Sequence, residues 1–328
     1  MSKRILLAGC GQLGSRHLQA MATLADVGEM IVVDPNPAAL ELGKSRLGQV
    51  NDLNPSISYQ WLTDLGQAPA QGDLCVVATQ AKGRLELIEQ ICSRLGYRRF
   101  LIEKIVTQSM EEYRRLLALA ERERLSIWVN CQTRTFSVDQ YIKKLLRPQE
   151  PILLSDVGGN HGLATYGVHV ADLFLFFDGT NDITLSGIHI EPVLHPSKRG
   201  TDLFDLSGTI TGYSEKGSHL IMSFAGAHQS PDIINLITPH SRFVVDHIHE
   251  QAFESHEASG WKWNPIAVEG NWVISQTSRS IVKDILVKGT CGLPTLSECF
   301  PSHAFILNAL KPAFERLLGS RQESCPVT

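Results

Sequence analysis

The chain has no apolar run approaching the ~18 residues that a membrane-spanning helix needs. Its first residues lead straight into a strand pattern, so neither a transmembrane helix nor a signal peptide is expected. Excess positive charge is also missing. The formal net charge is −4 and the isoelectric point near 6.3, which argues against a nucleic-acid binder held by phosphate contacts. The seven cysteines (Cys10, Cys75, Cys92, Cys131, Cys291, Cys299 and Cys325) contain no C-x-x-C pair. Scattered, odd in number and mostly within apolar runs, they read as buried free thiols of a reducing cytoplasm. Cys291 and Cys299 lack a supporting ligand pattern, so no metal is expected. There is no internal repeat and no low-complexity segment. What remains is an ordinary composition, 43% hydrophobic over 328 residues, long enough for two domains with cores of their own.

The most informative stretch is the first. An apolar run, Ile5 to Ala8, feeds into G-x-G-x-x-G with Gly9, Gly11 and Gly14 in the three places, and a helical pattern follows. Such glycines serve a tight turn, close approach of backbone to a pyrophosphate, and close packing of helix on strand. The helix N-terminus then offers unpaired N–H groups to the phosphates. A second run, Met30 to Val33, ends in Asp34, 20 residues past Gly14, where an acid binds ribose hydroxyls. Alone, Asp34 reads equally as a turn residue before Pro35-Asn36-Pro37. In this order of strand, glycines, helix, strand and acid it points to a dinucleotide. Its charge would repel a 2′-phosphate and no basic residue follows at once, so NAD is favoured over NADP, with Lys44 and Arg46 lying further along.

Strand and helix patterns continue to alternate: Ile57–Leu62, Asp73–Thr79, a helix Arg84 to Leu95 stopped by Gly96, Arg99–Ile102, a helix opened by the capping box Ser109-Met110-Glu111-Glu112 and running to about Arg124, and Leu125–Asn130. This alternation predicts a doubly wound parallel sheet, and Thr79 would border a ligand at the carboxyl ends of its strands. Beyond Asn130 the pattern changes. A helix (about Val138 to Leu146), a strand Ile152–Val157, a loop Gly158-Gly159-Asn160-His161-Gly162 and a helix Val168 to Phe177 precede mostly strands from Ile183 to Leu286. These include Ile183–Ile190, Phe204–Tyr213, His219–Phe224, Asp232–Thr238 and Ser241–Ile248, several of them alternating as half-buried antiparallel strands do. A helix or helix pair closes the chain, Leu296 to Leu318. The expected domains are 1–129 for dinucleotide binding and 130–328 for substrate binding and oligomerisation.

Lys104, at a strand end, could polarise a substrate hydroxyl or be a surface lysine. His169 begins a helix with Asp172 three residues on, on the same face, where a carboxylate would orient an imidazole acid/base; the same pair also reads as a capped helix start. Arg134 could grip a carboxylate or phosphate in bidentate fashion, or lie on the surface.

The residues Gly9-Cys10-Gly11-Gln12-Leu13-Gly14-Ser15-Arg16-His17, Val76-Val77-Ala78-Thr79, Glu103-Lys104 and Gly167-Val168-His169-Val170-Ala171-Asp172 resemble those of the glucose–fructose oxidoreductase / inositol dehydrogenase (Gfo/Idh/MocA) family over nearly the whole chain. The resemblance implies a Rossmann domain, then an α+β domain whose open, mainly antiparallel sheet joins a homodimer or homotetramer. It implies a cytoplasmic NAD-dependent enzyme moving hydride to or from a sugar or nucleotide-sugar carbon, with no nucleic-acid or membrane partner. Gly9, Gly11, Gln12, Leu13, Gly14, Asp34, Thr79, Glu103 and Lys104 would border the coenzyme. Lys104 and His169 would be catalytic, and Lys104, Arg134, His161, Thr165 and Asp172 would face the substrate. Two positions depart from the family pattern. Ile105 replaces the proline of E-K-P, and Thr165 stands where the family often has an aspartate four residues before the histidine, which makes Tyr166 a candidate substitute in proton transfer. Trp128-Val129-Asn130-Cys131 and Gly159-Asn160-His161-Gly162-Leu163 are similar to a branch linked with bacterial surface-sugar synthesis. A dinucleotide sensor without turnover and a reductase of a non-sugar substrate are the rival readings.

Overall fold

The apolar runs of the first half become the strands of one parallel sheet. In the computed structural model, which describes residues 2–159, 162–197, 199–267 and 274–328, β1 (Lys3–Ala8), α1 (Gly14–Met21), β2 (Val27–Val33), α2 (Pro37–Leu47), β3 (Ser58–Leu62), β4 (Leu74–Val77), α3 (Arg84–Gln90), β5 (Arg99–Ile102), α4 (Met110–Arg122) and β6 (Ser126–Val129) follow in turn. The sheet order is β3-β2-β1-β4-β5-β6, every pair parallel. The order reverses direction beside β1, which is where an open α/β sheet leaves a crevice for a ligand. Local chemistry sets the helix ends. Asn36 Oδ1 accepts from Ala38 N at 3.0 Å, with Pro37 as the first helical residue of α2. The predicted helix to Leu95 is α3 continued by a wider π turn, Ile91–Leu95, and it stops at Gly96 with φ +74°.

The second half continues with α5 (Ser137–Leu145), β7 (Leu153–Gly159), α6 (Gly167–Asp178), β8 (Thr184–Ile190), β9 (His195–Pro196), β10 (Phe204–Asp205), β11 (Gly208–Tyr213), β12 (His219–Ala225), β13 (Ile233–Ile237), β14 (Ser241–Asp246), β15 (Gln251–His256), β16 (Trp263–Pro265), α7 (Ile274–Lys288) and α8 (Phe300–Leu318). Eight of these strands form one sheet, β16-β15-β14-β13-β7-β12-β11-β8, antiparallel except where β12 runs beside β7. Leu154, Leu220, Met222, Phe224, Leu236 and Phe243 are buried on one face, and α6 packs against α8 and β12. The other face leaves Val157, Ile233, Ile237 and Phe253 between 40% and 47% exposed.

Several boundaries differ from the sequence reading, each for a local reason. Gly158 and Gly159 pair within β7 and are not loop. The strand read as Phe204–Tyr213 breaks after Asp205, whose carboxylate accepts from Ala164 N and Leu206 N at 2.9 and 2.8 Å, and Gly208 adopts φ +136°. The strand-rich region ends before α7, a helix whose Ile281, Val282, Ile285 and Leu286 share one buried face. That face joins the core of Leu18, Met21, Leu24, Met30 and Val32. The chain accordingly forms two compact units that are not continuous stretches: Met1–Thr107, Glu111–Asn130 and Val273–Ser297 in the first, and Gln108–Met110, Cys131–Trp272 and Glu298–Thr328 in the second.

Candidate functional site

In the first unit the turn from β1 to α1 has room for little but glycine. Gly9 adopts φ +91°, and a Cβ there would meet Ala78 C and Thr79 N at 3.0 Å. A Cβ on Gly14 would lie 1.9 Å from Gly9 O, inside any contact distance. Gly11 is different: a Cβ would meet nothing within 4 Å, so its backbone borders open space. Leu13, the N-cap of α1, supplies no side-chain cap, and the N-terminal amides of the helix have no side-chain acceptor there. Asp34 follows β2 and is tied to the same turn: its Oδ2 accepts from Cys10 N at 2.8 Å and its Oδ1 from Asn36 N at 2.9 Å. Burial, with the Asp34 charge adding to it, pushes the Cys10 thiol up to about 12, so this thiol is protonated and inert. Arg46 also reaches the turn. It donates to Gln12 O at 2.7 Å, to Ser15 Oγ at 2.6 Å, and to Gln12 Oε1.

The neighbouring strand ends are fastened by a residue that the sequence analysis missed. Arg84, 1% exposed in the first turn of α3, donates to the carbonyl oxygens of Thr79, Glu103, Ile105 and Val106. One guanidinium thus holds the segment after β4 to the segment after β5, which carries Lys104. Ile105, the departure from E-K-P, is fully buried, and its peptide bond with Lys104 is cis. Lys104 itself is 7% exposed. Thr79 Oγ1 is a buried hydroxyl without a hydrogen-bond partner among the described residues, a polar atom suited to a bound ligand.

Glu103 is expected at the coenzyme, but its side chain turns inward. Its Oε1 accepts from Asn130 Nδ2 at 2.7 Å and lies 2.7 Å from His17 Nε2, with the carboxylate 5% exposed. Burial alone would raise this carboxyl, but His17, Asn130 and Lys104 outweigh it and hold the group down to about 2. Glu103 therefore pins α1 to the ends of β5 and β6. Its ionised form sits beside Lys104.

In the second unit Tyr166 is the N-cap of α6, and His169 N donates to Tyr166 O at 2.8 Å. Their rings lie 5.9 Å apart, centre to centre. Tyr166 Oη donates to Asp232 Oδ2 at 3.0 Å. Behind it stands Asp156, fully buried, raised well above the usual carboxylate range by burial and by Asp232. Two carboxyls so close cannot both be ionised, so Asp156 holds the proton.

The expected pairing of His169 with Asp172 is not found. Asp172 is gripped by Arg134, Nε to Oδ2 at 2.8 Å and Nη2 to Oδ1 at 2.5 Å. Arg134 lies 5.3 Å from the ring of Phe176 and is 12% exposed in its side chain. Both residues, read from sequence as substrate contacts, meet each other instead. Facing inward on α6, Asp172 satisfies a guanidinium delivered by the 3-10 turn after β6. Thr165 donates to Asp205 Oδ2 and, with Asp205, His195 and Ser207, lines a cavity of about 340 Å³. His161 lies outside the described residues. Arg84, His17, Asn130, Asp205, Asp232 and Asp156 carry no local signature, because each has at least one partner 19 to 86 positions away.

No family model and no curated protein matches the chain. Solved structures do. An oxidoreductase from Agrobacterium radiobacter, in complex with NAD+, L-tartaric acid and magnesium, is 14% identical with a TM-score of 0.76 over 95% of this chain and 96% of that one. A UDP-N-acetylglucosamine 3-dehydrogenase from Acidithiobacillus ferrooxidans is 15% identical, with a TM-score of 0.70 over 97% of this chain and 99% of that one. A Gfo/Idh/MocA family oxidoreductase from Vibrio cholerae is 15% identical, with a TM-score of 0.67 over 97% of this chain and 100% of that one. What this chain shares with them is a fold: a parallel, Rossmann-type sheet and a mainly antiparallel one, as in the Gfo/Idh/MocA-type oxidoreductases.

Proposed function

We propose that the chain is an NAD(P)-linked oxidoreductase that moves hydride between the nicotinamide and a carbinol or keto carbon of a sugar or nucleotide sugar. The observation that carries this reading is the turn of Gly9, Gly11 and Gly14, open at Gly11 and tied to the Asp34 carboxylate. It has the form of a pyrophosphate cradle with a ribose acceptor beside it. When bound, the nicotinamide supplies or accepts the hydride. Gln12 and Leu13 lie in the same turn, and Thr79 Oγ1 offers the coenzyme a buried, unsatisfied hydroxyl. NAD is the coenzyme of choice because the Asp34 carboxylate would meet a 2′-phosphate with like charge. In this reading Lys104 polarises the substrate oxygen and His169, with Tyr166, moves the proton. The cavity at Thr165 and Asp205 receives hydroxyl groups. The nucleotide-sugar option rests on the fold shared with a UDP-N-acetylglucosamine 3-dehydrogenase. Cytoplasmic residence and a homodimer or homotetramer joined through the face bearing Val157, Ile233, Ile237 and Phe253 belong to the same proposal.

The test is oxidation of NADH against a panel of free and nucleotide-linked keto-sugars, with Lys104→Ala beside the wild type. We expect at least one compound to give turnover that the substitution lowers by about a hundredfold or more, in the range expected for loss of a positioned proton-transfer or electrostatic group. If no compound gives Lys104-dependent oxidation while NADH still binds, the chain is a dinucleotide-binding sensor instead.

A further inference from the structure

Three side chains far apart in sequence converge inside the second unit. Cys131 follows β6, Cys299 is the N-cap of α8, and Asp172 lies in the second turn of α6. Their Sγ and carboxylate atoms all lie within 4.8 Å of one another. Cys131 and Cys299 are fully buried and Asp172 is 1% exposed. The geometry points to a binding site for a soft divalent cation of the zinc class, held by Cys131 Sγ, Cys299 Sγ and a carboxylate oxygen of Asp172.

The distances suit that ion. The two sulfurs are 3.5 Å apart. Two zinc–sulfur bonds of about 2.3 Å at a tetrahedral angle would set them about 3.8 Å apart, a shift of a few tenths of an ångström. A disulfide would need them at about 2.05 Å, a far larger movement of two packed segments. Without a metal, the same separation is spanned by an S–H···S hydrogen bond.

The donors around the site fit as well. Arg134 takes one lone pair from each oxygen of Asp172, and each oxygen keeps a second for the cation. A ligating carboxylate fixed by such a partner is the usual outer arrangement of a metal site. Charge also closes: two thiolates and one carboxylate are balanced by a divalent cation and the Arg134 guanidinium. His303 Nδ1 lies 2.9 Å from Cys299 O, where it has to donate, so that nitrogen is not a ligand. No fourth His, Cys, Asp or Glu joins the three among the described residues, which leaves the last tetrahedral position to a water or small anion. Thiolate pairs favour zinc over the hard cations magnesium and calcium, and binding expels the thiol protons. Its role is to join α6, α8 and the segment carrying Arg134.

The experiment uses the full chain, produced in zinc-supplemented medium under reducing conditions and assayed for bound metal, then refolded with Co²⁺. The expected result is one zinc per chain, and a Co²⁺ form with an intense near-ultraviolet sulfur-to-metal charge-transfer band. Cys131→Ser and Cys299→Ser each abolish both signals, and Asp172→Asn weakens metal retention. Cys291→Ser, a cysteine of the other unit, changes neither. A metal-free wild type without the band overturns the assignment, as does metal content that survives both serine substitutions. A native chain lighter by two hydrogens, with Cys131 joined to Cys299, also overturns it. Should a serine variant fail to fold, the wild-type Co²⁺ spectrum decides alone: the band supports the site and its absence refutes it.

Discussion

Glu103→Gln tests whether the ion cluster at the end of β5 is a clamp on the fold or a contact for the coenzyme. The carboxyl lies at about 2 in the fold against an ordinary 4.5. At about 1.4 kcal/mol per pH unit, that gap corresponds to roughly 3 kcal/mol of stability at neutral pH. The group is almost wholly buried, so solvent screening takes little from this figure. Because the folded value is depressed, the contribution is complete above pH 4.5 and is lost as pH falls towards 2. Gln keeps the shape and one acceptor but not the charge that His17 and Lys104 face. Urea denaturation at pH 7 should show Glu103→Gln less stable by about 2–3 kcal/mol, with the deficit shrinking steadily between pH 4.5 and the acid limit. Wild-type stability at pH 7, or a deficit that does not shrink with acid, would refute an ionic clamp. A normal unfolding curve with tenfold weaker NADH binding would instead return Glu103 to the coenzyme.

Gly14→Ala should abolish NADH binding in a fluorescence titration, because its Cβ would lie 1.9 Å from Gly9 O. Gly11→Ala should leave the fold intact, since nothing lies within 4 Å of its Cβ, and any loss of affinity there reports the coenzyme directly. Arg134→Ala should cost about 1–3 kcal/mol in urea denaturation, because the Asp172 carboxyl, already raised to about 8 by burial and Cys299, loses both of its guanidinium hydrogen bonds; a change confined to KM would make Arg134 a substrate residue after all. Asp34→Ser should shift preference towards NADPH by about tenfold or more in paired titrations, a gain of roughly 1.4 kcal/mol from removed like-charge repulsion; an unchanged ratio would place the adenosine ribose elsewhere.

The parts of this molecule that could be read from sequence are those in which one short stretch contains its own reason. The glycine turn, the acid after Val33 and the alternation that yields six parallel strands are of this kind, because each depends on neighbours a few residues away. The pairing of Asp172 shows the opposite case. Spacing placed it three residues from His169, yet the preference of a buried carboxylate for a guanidinium decided its partner, and Arg134 stands 38 positions earlier. Ile281, Val282, Ile285 and Leu286 have helical spacing, but nothing local says that they complete a core begun by Leu18 and Met21. Arg84 lies in an ordinary amphipathic helix, and only the folded chain reveals the four carbonyls around it.

The return of α7 to the first core bears on how the polypeptide acquires its structure during synthesis. Residues up to 130 can form the parallel strands as they leave the ribosome, but they emerge with the apolar side of α1 uncovered. The helix that seals it follows more than 140 residues later. A nascent chain paused before that helix, or a fragment cut after Asn130, carries a greasy patch around Leu18, Met21 and Leu24 that invites chaperones, proteases or self-association until α7 has been made.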